Sequence, residues 1–208
     1  MLIWAALSED DSVLDIGCGG CQLLSQVNKH THSLMGVEVS RETLEHGGAL
    51  AKRSVVSDGQ YLPFREGQFD RVLCSSSIEY FDDVALLREM RRVLKSDGSV
   101  LLTADSNTRP LPHYLELDFR KKNGNVLRFY TAASLWRAFQ DAGLRPVKIQ
   151  YLLNSWLSDL YFRLGIVVSW TGSLWGFLSL VGFYPCLAID TRVGSAERGH
   201  TLLILARK

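Results

Sequence analysis

A chain of 208 residues, 47% hydrophobic and 22% charged, suits one globular domain with an appendage and is too apolar for a disordered one. Lys and Arg number 23 against 22 Asp and Glu, a formal net charge of +1, which offers no broad electrostatic footprint for nucleic acid. Four Cys and an N-terminus without a basic-then-apolar leader point to a reducing, cytoplasmic setting.

The first two-thirds alternates short apolar runs with amphipathic stretches. Ser12–Ile16 reads as a buried strand that runs into the glycine cluster Gly17-Cys18-Gly19-Gly20, and Leu23, Leu24 and Val27 then mark a helical face. A second strand is expected over Ser33–Val39, a helix over Arg41–Lys52 weakened by Gly47-Gly48, and a short third strand at Val55-Val56. Phe69–Ser75 reads as the fourth strand. The strongest helix is Val84–Leu94, stopped by Ser96-Asp97-Gly98, and Ser99–Ala104 is the fifth strand. Thr131 can cap a helix with Leu135, Trp136 and Phe139 on its apolar face, ending near Gly143. Val147–Leu153 and His200–Ala206 complete a set of seven strands. Strands alternating with helices imply a doubly wound, mostly parallel α/β sheet, whose ligand sits at the carboxyl ends of the strands.

Those ends carry the informative residues. Gly17 and Gly19 lie between a strand and a helix, where glycine permits positive φ and close approach of a ligand. The dinucleotide pattern G-x-G-x-x-G fails, because position 22 is Gln. Glu38 ends the second strand, 21 residues after Gly17, where a carboxylate can accept both hydroxyls of a ribose; a surface carboxylate is an equal reading. Asp58-Gly59 follows the third strand, either as a simple turn or as an acceptor for an adenine amino group. Phe69-Asp70 opens a strand that ends in Cys74-Ser75-Ser76-Ser77, small residues that leave room beside the backbone.

Together these segments resemble the class I S-adenosylmethionine-dependent methyltransferases, in the type 11-like branch that modifies lipids, quinones and small molecules. The likeness covers about residues 12–150 and 200–207. VLDIGCGG is similar to the family's glycine-rich first motif and GVEVS to its acidic second-strand motif. SDGQYLPFREGQFD is similar to D-A-x-x-L-P-F-x-D-x-x-F-D, and REMRRVLKSDGSVLLT to E-x-x-R-V-L-K-P-G-G-x-L. The resemblance implies a Rossmann-like seven-stranded sheet and S-adenosylmethionine as cofactor. It implies that Asp15, Gly17 and Gly19 line the methionine side, that Glu38 holds the ribose and Asp58 the adenine with Gly59 beside it, and that Ser75 and Ser76 flank the methionine. The family's third glycine falls at Cys21, which is expected to crowd the cofactor, and Glu79 is followed by Tyr80 where relatives often have His. The family usually carries more helix before the first strand, implying either further chain there or a more open site.

No triad signature such as G-x-S-x-G is present, and Cys18 and Cys21 lack partners at zinc spacing, so no metal is expected. Arg120-Lys121-Lys122 reads as a solvated loop, or as a contact for an anionic substrate or headgroup. His113, Tyr80 and Asp105 lie near carboxyl-end loops, but spacing singles out none of them as a base.

Residues 154–199 separate the last two strands, and Leu164–Ile189 holds 26 residues without Asp, Glu, Lys, Arg or His. A single membrane crossing would place the flanking strands of one sheet on opposite sides, and a double crossing needs about 40 apolar residues. The segment is therefore expected to be an apolar helical insert: a lid, a dimer interface, or a peripheral or re-entrant membrane contact through 156–189, where Trp156, Trp170 and Trp175 suit an interface, with a true span as the lesser alternative. The expected organisation is a methyltransferase domain over 1–153 and 200–208 with that insert. The expected activity is methyl transfer to a small, hydrophobic or lipid-like acceptor. The alternatives are a non-catalytic scaffold of the same fold and, more distantly, a nicotinamide dehydrogenase.

Overall fold

Val13, Leu14, Asp15 and Ile16 are all buried, as in a strand covered on both faces. In the computed structural model, which describes residues 2–109, 121–122, 125–155, 158, 160 and 196–208, they form β1 (Val13–Ile16), an interior strand of a seven-stranded sheet. The other strands are β2 (Leu34–Glu38), β3 (Ser54–Val56), β4 (Phe69–Ser75), β5 (Leu94–Asp105), β6 (Arg145–Leu152) and β7 (Thr201–Arg207), in the order β3-β2-β1-β4-β5-β7-β6. The pairs β1–β2, β1–β4, β2–β3 and β4–β5 are parallel. The chain moves outward from β1 to β3 and then returns to the other side of β1, so the switch point lies between β1 and β4.

The helices are α1 (Leu2–Ala5), α2 (Gln22–Val27), α3 (Arg41–Glu45), α4 (Asp83–Val93) and α5 (Ala132–Asp141). The side chain of Asp82 caps α4 by accepting from Ala85 N at 2.9 Å. Leu86, Leu87, Met90 and Val93 of α4 are fully buried. Two expectations need correction. The helix foreseen over Arg41–Lys52 is broken: α3 ends at Glu45 and a 3-10 turn covers Gly48–Arg53, with φ +58° at Gly48 supplying the break. Ser96-Asp97-Gly98 does not stop α4, which ends at Val93 and passes directly into β5. Those residues form an irregularity in β5, where the pairing shifts from Phe69–Leu94 to Arg71–Ser99.

Two compact units are present, one of Met1–Ala104, Ala133–Ile149 and Leu203–Lys208, the other of Asp105–Ala132 and Gln150–Leu202. Within the second unit, Ser106 N donates to His200 O and His200 N to Leu153 O, and the Tyr151 hydroxyl accepts from Thr108 Oγ1 and Ala132 N. The apolar run Leu164–Ile189, with His113 and Arg120, lies outside the described residues. Among the described residues, no helix is long and apolar enough to cross a membrane.

Candidate functional site

Four loops leave the carboxyl ends of β1 to β4, and hydrogen bonds tie them together, the third through Ser57 N to Glu38 O and Asp82 N to Gln60 Oε1. The first runs through Gly17 (φ +69°) and Gly19 (φ +53°) into Cys21 (φ +62°). Gly17 N and Cys18 N both donate to Val37 O, at 2.8 and 3.0 Å, which hangs the loop on β2. Glu38 completes the link: Oε2 accepts from Gly19 N and Oε1 from Ser40 N, each at 3.0 Å. An ionised carboxylate offers about four acceptor positions, so Glu38 retains capacity for a ligand.

On the other side, the fourth loop abuts the first. A Cβ on Gly17 would overlap Ser77 Oγ and lie 2.7 Å from Ser77 Cβ. The Ser77 hydroxyl donates to Gly17 O and Ser75 O. Ser76 (φ +49°) has its N–H on both Thr103 O and Thr103 Oγ1, and Ser75 Oγ lies 3.3 Å from Thr103 Oγ1. Ser75 and Ser76 are exposed. Ser77 was not distinguished from its neighbours by the sequence, and the run of three serines was its one signal.

Asp15 lies beneath the first loop at 1% exposure, and its Oδ1 has no hydrogen-bond partner among the described residues. Burial, then the charge of Glu38, pushes its carboxyl up to about 8. Asp58 is half-buried and held by Gln60, whose N–H reaches Asp58 Oδ1 at 2.9 Å. Gly59 serves packing: a Cβ there would sit 2.9 Å from Ile16 Cγ2 and 3.0 Å from Leu86 Cδ1. Val39, directly after Glu38, is 66% exposed, an apolar side chain beside a carboxylate that sequence reading passed over. Of the residues considered as bases, Tyr80 is half exposed and Asp105 is buried in the second unit.

Cys21 corrects an expectation. Its side chain is 1% exposed and turned inward, with Sγ 3.9 Å from Ser54 Oγ and in the space that a Cβ on Gly47 would need. It therefore does not project from the loop toward a ligand. Burial also raises the neighbouring Cys18 thiol, so that side chain stays protonated.

Other motif residues hold the frame. Asp70 Oδ2 accepts from Ser12 Oγ at 2.6 Å, Ser12 N at 2.9 Å and Lys95 Nζ at 2.7 Å. Arg92 donates to Leu62 O, Phe64 O and both carboxylate oxygens of Glu89, while Glu89 accepts from Leu62 N. The LPF segment and the R-V-L-K segment, distant in sequence, are thus one structural clamp.

Residues 14–102 match the family model described as a methyltransferase domain. This segment, under half of the chain, is similar to that methyltransferase-domain family. A demethylmenaquinone methyltransferase of Corynebacterium glutamicum is 28% identical over 150 residues, covering 72% of this chain and 61% of that protein. A mitochondrial arginine-hydroxylase of Danio rerio is 33% identical over 89 residues, covering 41% of this chain and 28% of its own. The chain therefore spans less than two thirds of the length of these curated relatives. Among solved structures, geranyl diphosphate C-methyltransferase from Streptomyces coelicolor A3(2) superposes with a TM-score of 0.71 at 20% identity, covering 99% of this chain and 74% of that one. That crystal contains S-adenosyl-L-homocysteine. At this identity the likeness establishes the fold. The matched segment spans all four loops described above, since Leu14–Leu102 runs from β1 into β5.

Proposed function

We propose that the chain is an S-adenosylmethionine-dependent methyltransferase acting on a small, hydrophobic or lipid-like acceptor. The observation that carries this reading is the loop after β1, held at positive φ by the carboxylate of Glu38 while the buried Asp15 beneath it keeps a carboxyl oxygen unpartnered. Glu38 has acceptor capacity left for two ribose hydroxyls. Asp58 is oriented by Gln60 to accept from an adenine amino group, and exposed Val39 offers an apolar face to the ring. Gly19, Ser75 and Ser76 leave open backbone for the methionine moiety, beside Gly17, whose Cβ side is closed by Ser77. Bound S-adenosylmethionine supplies an electrophilic methyl group on a sulfonium. The chain's task is to hold the acceptor atom in line with it and to exclude water.

The apolar run Leu164–Ile189 supports a hydrophobic acceptor, as does the similarity to a demethylmenaquinone methyltransferase. A cytoplasmic enzyme with a peripheral membrane contact through 156–189, or a homodimer formed there, belongs to the same reading.

Isothermal titration with S-adenosylhomocysteine tests the cofactor site, with Glu38→Ala as control. Binding that weakens at least tenfold in the variant is expected. A folded protein that takes up no S-adenosylhomocysteine overturns the reading in favour of a non-catalytic scaffold.

A further inference from the structure

Gly47 and Gly48 break what would otherwise be one helix, and the break opens a groove. A Cβ on Gly47 would lie 2.6 Å from Cys21 Sγ and 3.0 Å from Leu44 O, and Gly48 takes φ +58°. The chain thus leaves α3, turns, and runs through the 3-10 segment Gly48–Arg53 into β3. These three elements line a groove of about 440 Å³. That volume falls within the range of about 300–1,000 Å³ usual for small-molecule sites. The groove shares no residue with the candidate cofactor site.

Its apolar lining is Leu44 of α3, Ala51 of the 3-10 segment, and Val55 and Val56 of β3. Leu44 is buried, whereas Val56, on an edge strand, is 42% exposed. Its polar lining is Arg41, Glu45, Lys52 and Ser54, and the Ser54 hydroxyl is already committed to Leu50 O at 3.1 Å. The adjacent Arg53 is also engaged, donating to His32 O and Asn28 Oδ1. Arg41 and Lys52 differ: among the described residues neither makes a side-chain hydrogen bond or an ion pair. With Glu45 in the same lining, the groove keeps one positive charge in excess. An apolar lining beside that excess charge complements a molecule with an apolar body and a single negative charge.

We propose that this groove binds a free fatty carboxylate, its tail against Leu44, Ala51, Val55 and Val56 and its head paired with Arg41 and Lys52. The site stands apart from the cofactor reading and from the acceptor. A strand of another protein is a poorer occupant, because β3 offers only three residues to pair with.

The test is titration of the full ¹⁵N-labelled chain, followed by amide shifts, with octanoate, hexanoate, acetate and the uncharged octyl glucoside. Octanoate is expected to shift the amides of Leu44, Ala51, Lys52, Val55 and Val56 saturably. A buried methylene is worth about fourfold in affinity, so hexanoate should bind roughly four- to sixteenfold more weakly. Acetate should leave those amides unmoved. An exposed ion pair is worth up to about fivefold, so Arg41→Gln/Lys52→Gln should weaken octanoate by about threefold or more. The same double variant should bind octyl glucoside unchanged. Both substituted side chains are exposed, so the fold is expected to persist. Val56→Asp, which places a like charge beside the tail, should weaken octanoate further. Equal affinity for octanoate in the double variant, or equal affinities for octanoate and octyl glucoside in the unmodified protein, overturns the proposal. So do shifts confined to the loops after β1 and β4, which would assign octanoate to the acceptor site and leave the proposed function standing.

Discussion

Ser77 fills the space that a side chain at position 17 would need. The requirement for glycine at the end of β1 therefore has two sources, a left-handed φ and a neighbour from β4. Gly17→Ala is expected to cost about 1–3 kcal/mol of stability, combining strain with overpacking. It should also weaken S-adenosylhomocysteine binding at least tenfold. Removing the neighbour in Gly17→Ala/Ser77→Gly should recover some of both losses, leaving the left-handed cost. Thermal unfolding and titration of the three variants would show whether the serine is the obstacle. Equal damage in the single and double variants would mean that it is not.

Cys21 adopts the same left-handed conformation with a side chain in place. Cys21→Gly relieves about 1 kcal/mol of backbone strain and forfeits a buried thiol of similar worth. Stability should consequently change by less than about 1 kcal/mol. Because the thiol faces Gly47 and Ser54, cofactor affinity should stay within twofold. A sharp gain in affinity would show that the thiol reaches the ligand after all.

Two carboxyls give opposite pH limbs. For Asp70, burial alone would raise the carboxyl, but its hydrogen bonds to Lys95 and Ser12 prevail and hold it at about 2. Its contribution is present above the unfolded value near 4 and is lost as pH falls toward 2. Asp15 is raised to about 8, so the folded state holds more protons than the unfolded one between about 4 and 8, and stability falls as pH rises through that window. Denaturant unfolding across pH should show Asp70→Asn flattening the acid limb and Asp15→Asn flattening the neutral one. An unchanged profile in either variant would contradict the corresponding assignment.

Arg92 serves three groups with one planar fork. Arg92→Lys keeps the charge but cannot reach Leu62 O, Phe64 O and Glu89 together. A loss of about 1–3 kcal/mol is expected, since hydrogen bonds to a charged group are broken. Urea unfolding of this variant beside Glu89→Gln would show whether the two residues act as a unit, in which case their effects add to less than the sum.

Most of the frame was readable because strands in a parallel sheet are continuous apolar runs, and those between Val13 and Ala104 stand out between turn residues. The loop glycines and Glu38 were legible from their place after strands. What the sequence could not reveal was contact across distance. Nothing near Gly17 announces Ser77, sixty residues on, and nothing in the serine run says which of the three fills space and which two stay open. Arg92 and Asp70 stood in recognisable motifs, yet the motifs do not say that these residues brace the scaffold while Asp15 and Glu38 border the loop. The helix over Arg41–Lys52 failed for a local reason: a left-handed Gly48 overrode good helix formers on either side. The bend at Ser96–Gly98 failed for a tertiary one, because pairing with β4 drew turn-forming residues into a strand.

The clamp between α4 and the loop before β4 has a consequence for local motion. Leu62 donates its N–H to Glu89 and accepts from Arg92 at its carbonyl, so a residue in an irregular segment has both backbone groups secured by a helix. The segment carrying Asp58 cannot open on its own while α4 remains docked. Amide exchange at Leu62 should therefore follow the slow, cooperative opening of α4 rather than the fast breathing of a surface loop, which makes the adenine end of the proposed site as long-lived as the core beneath it.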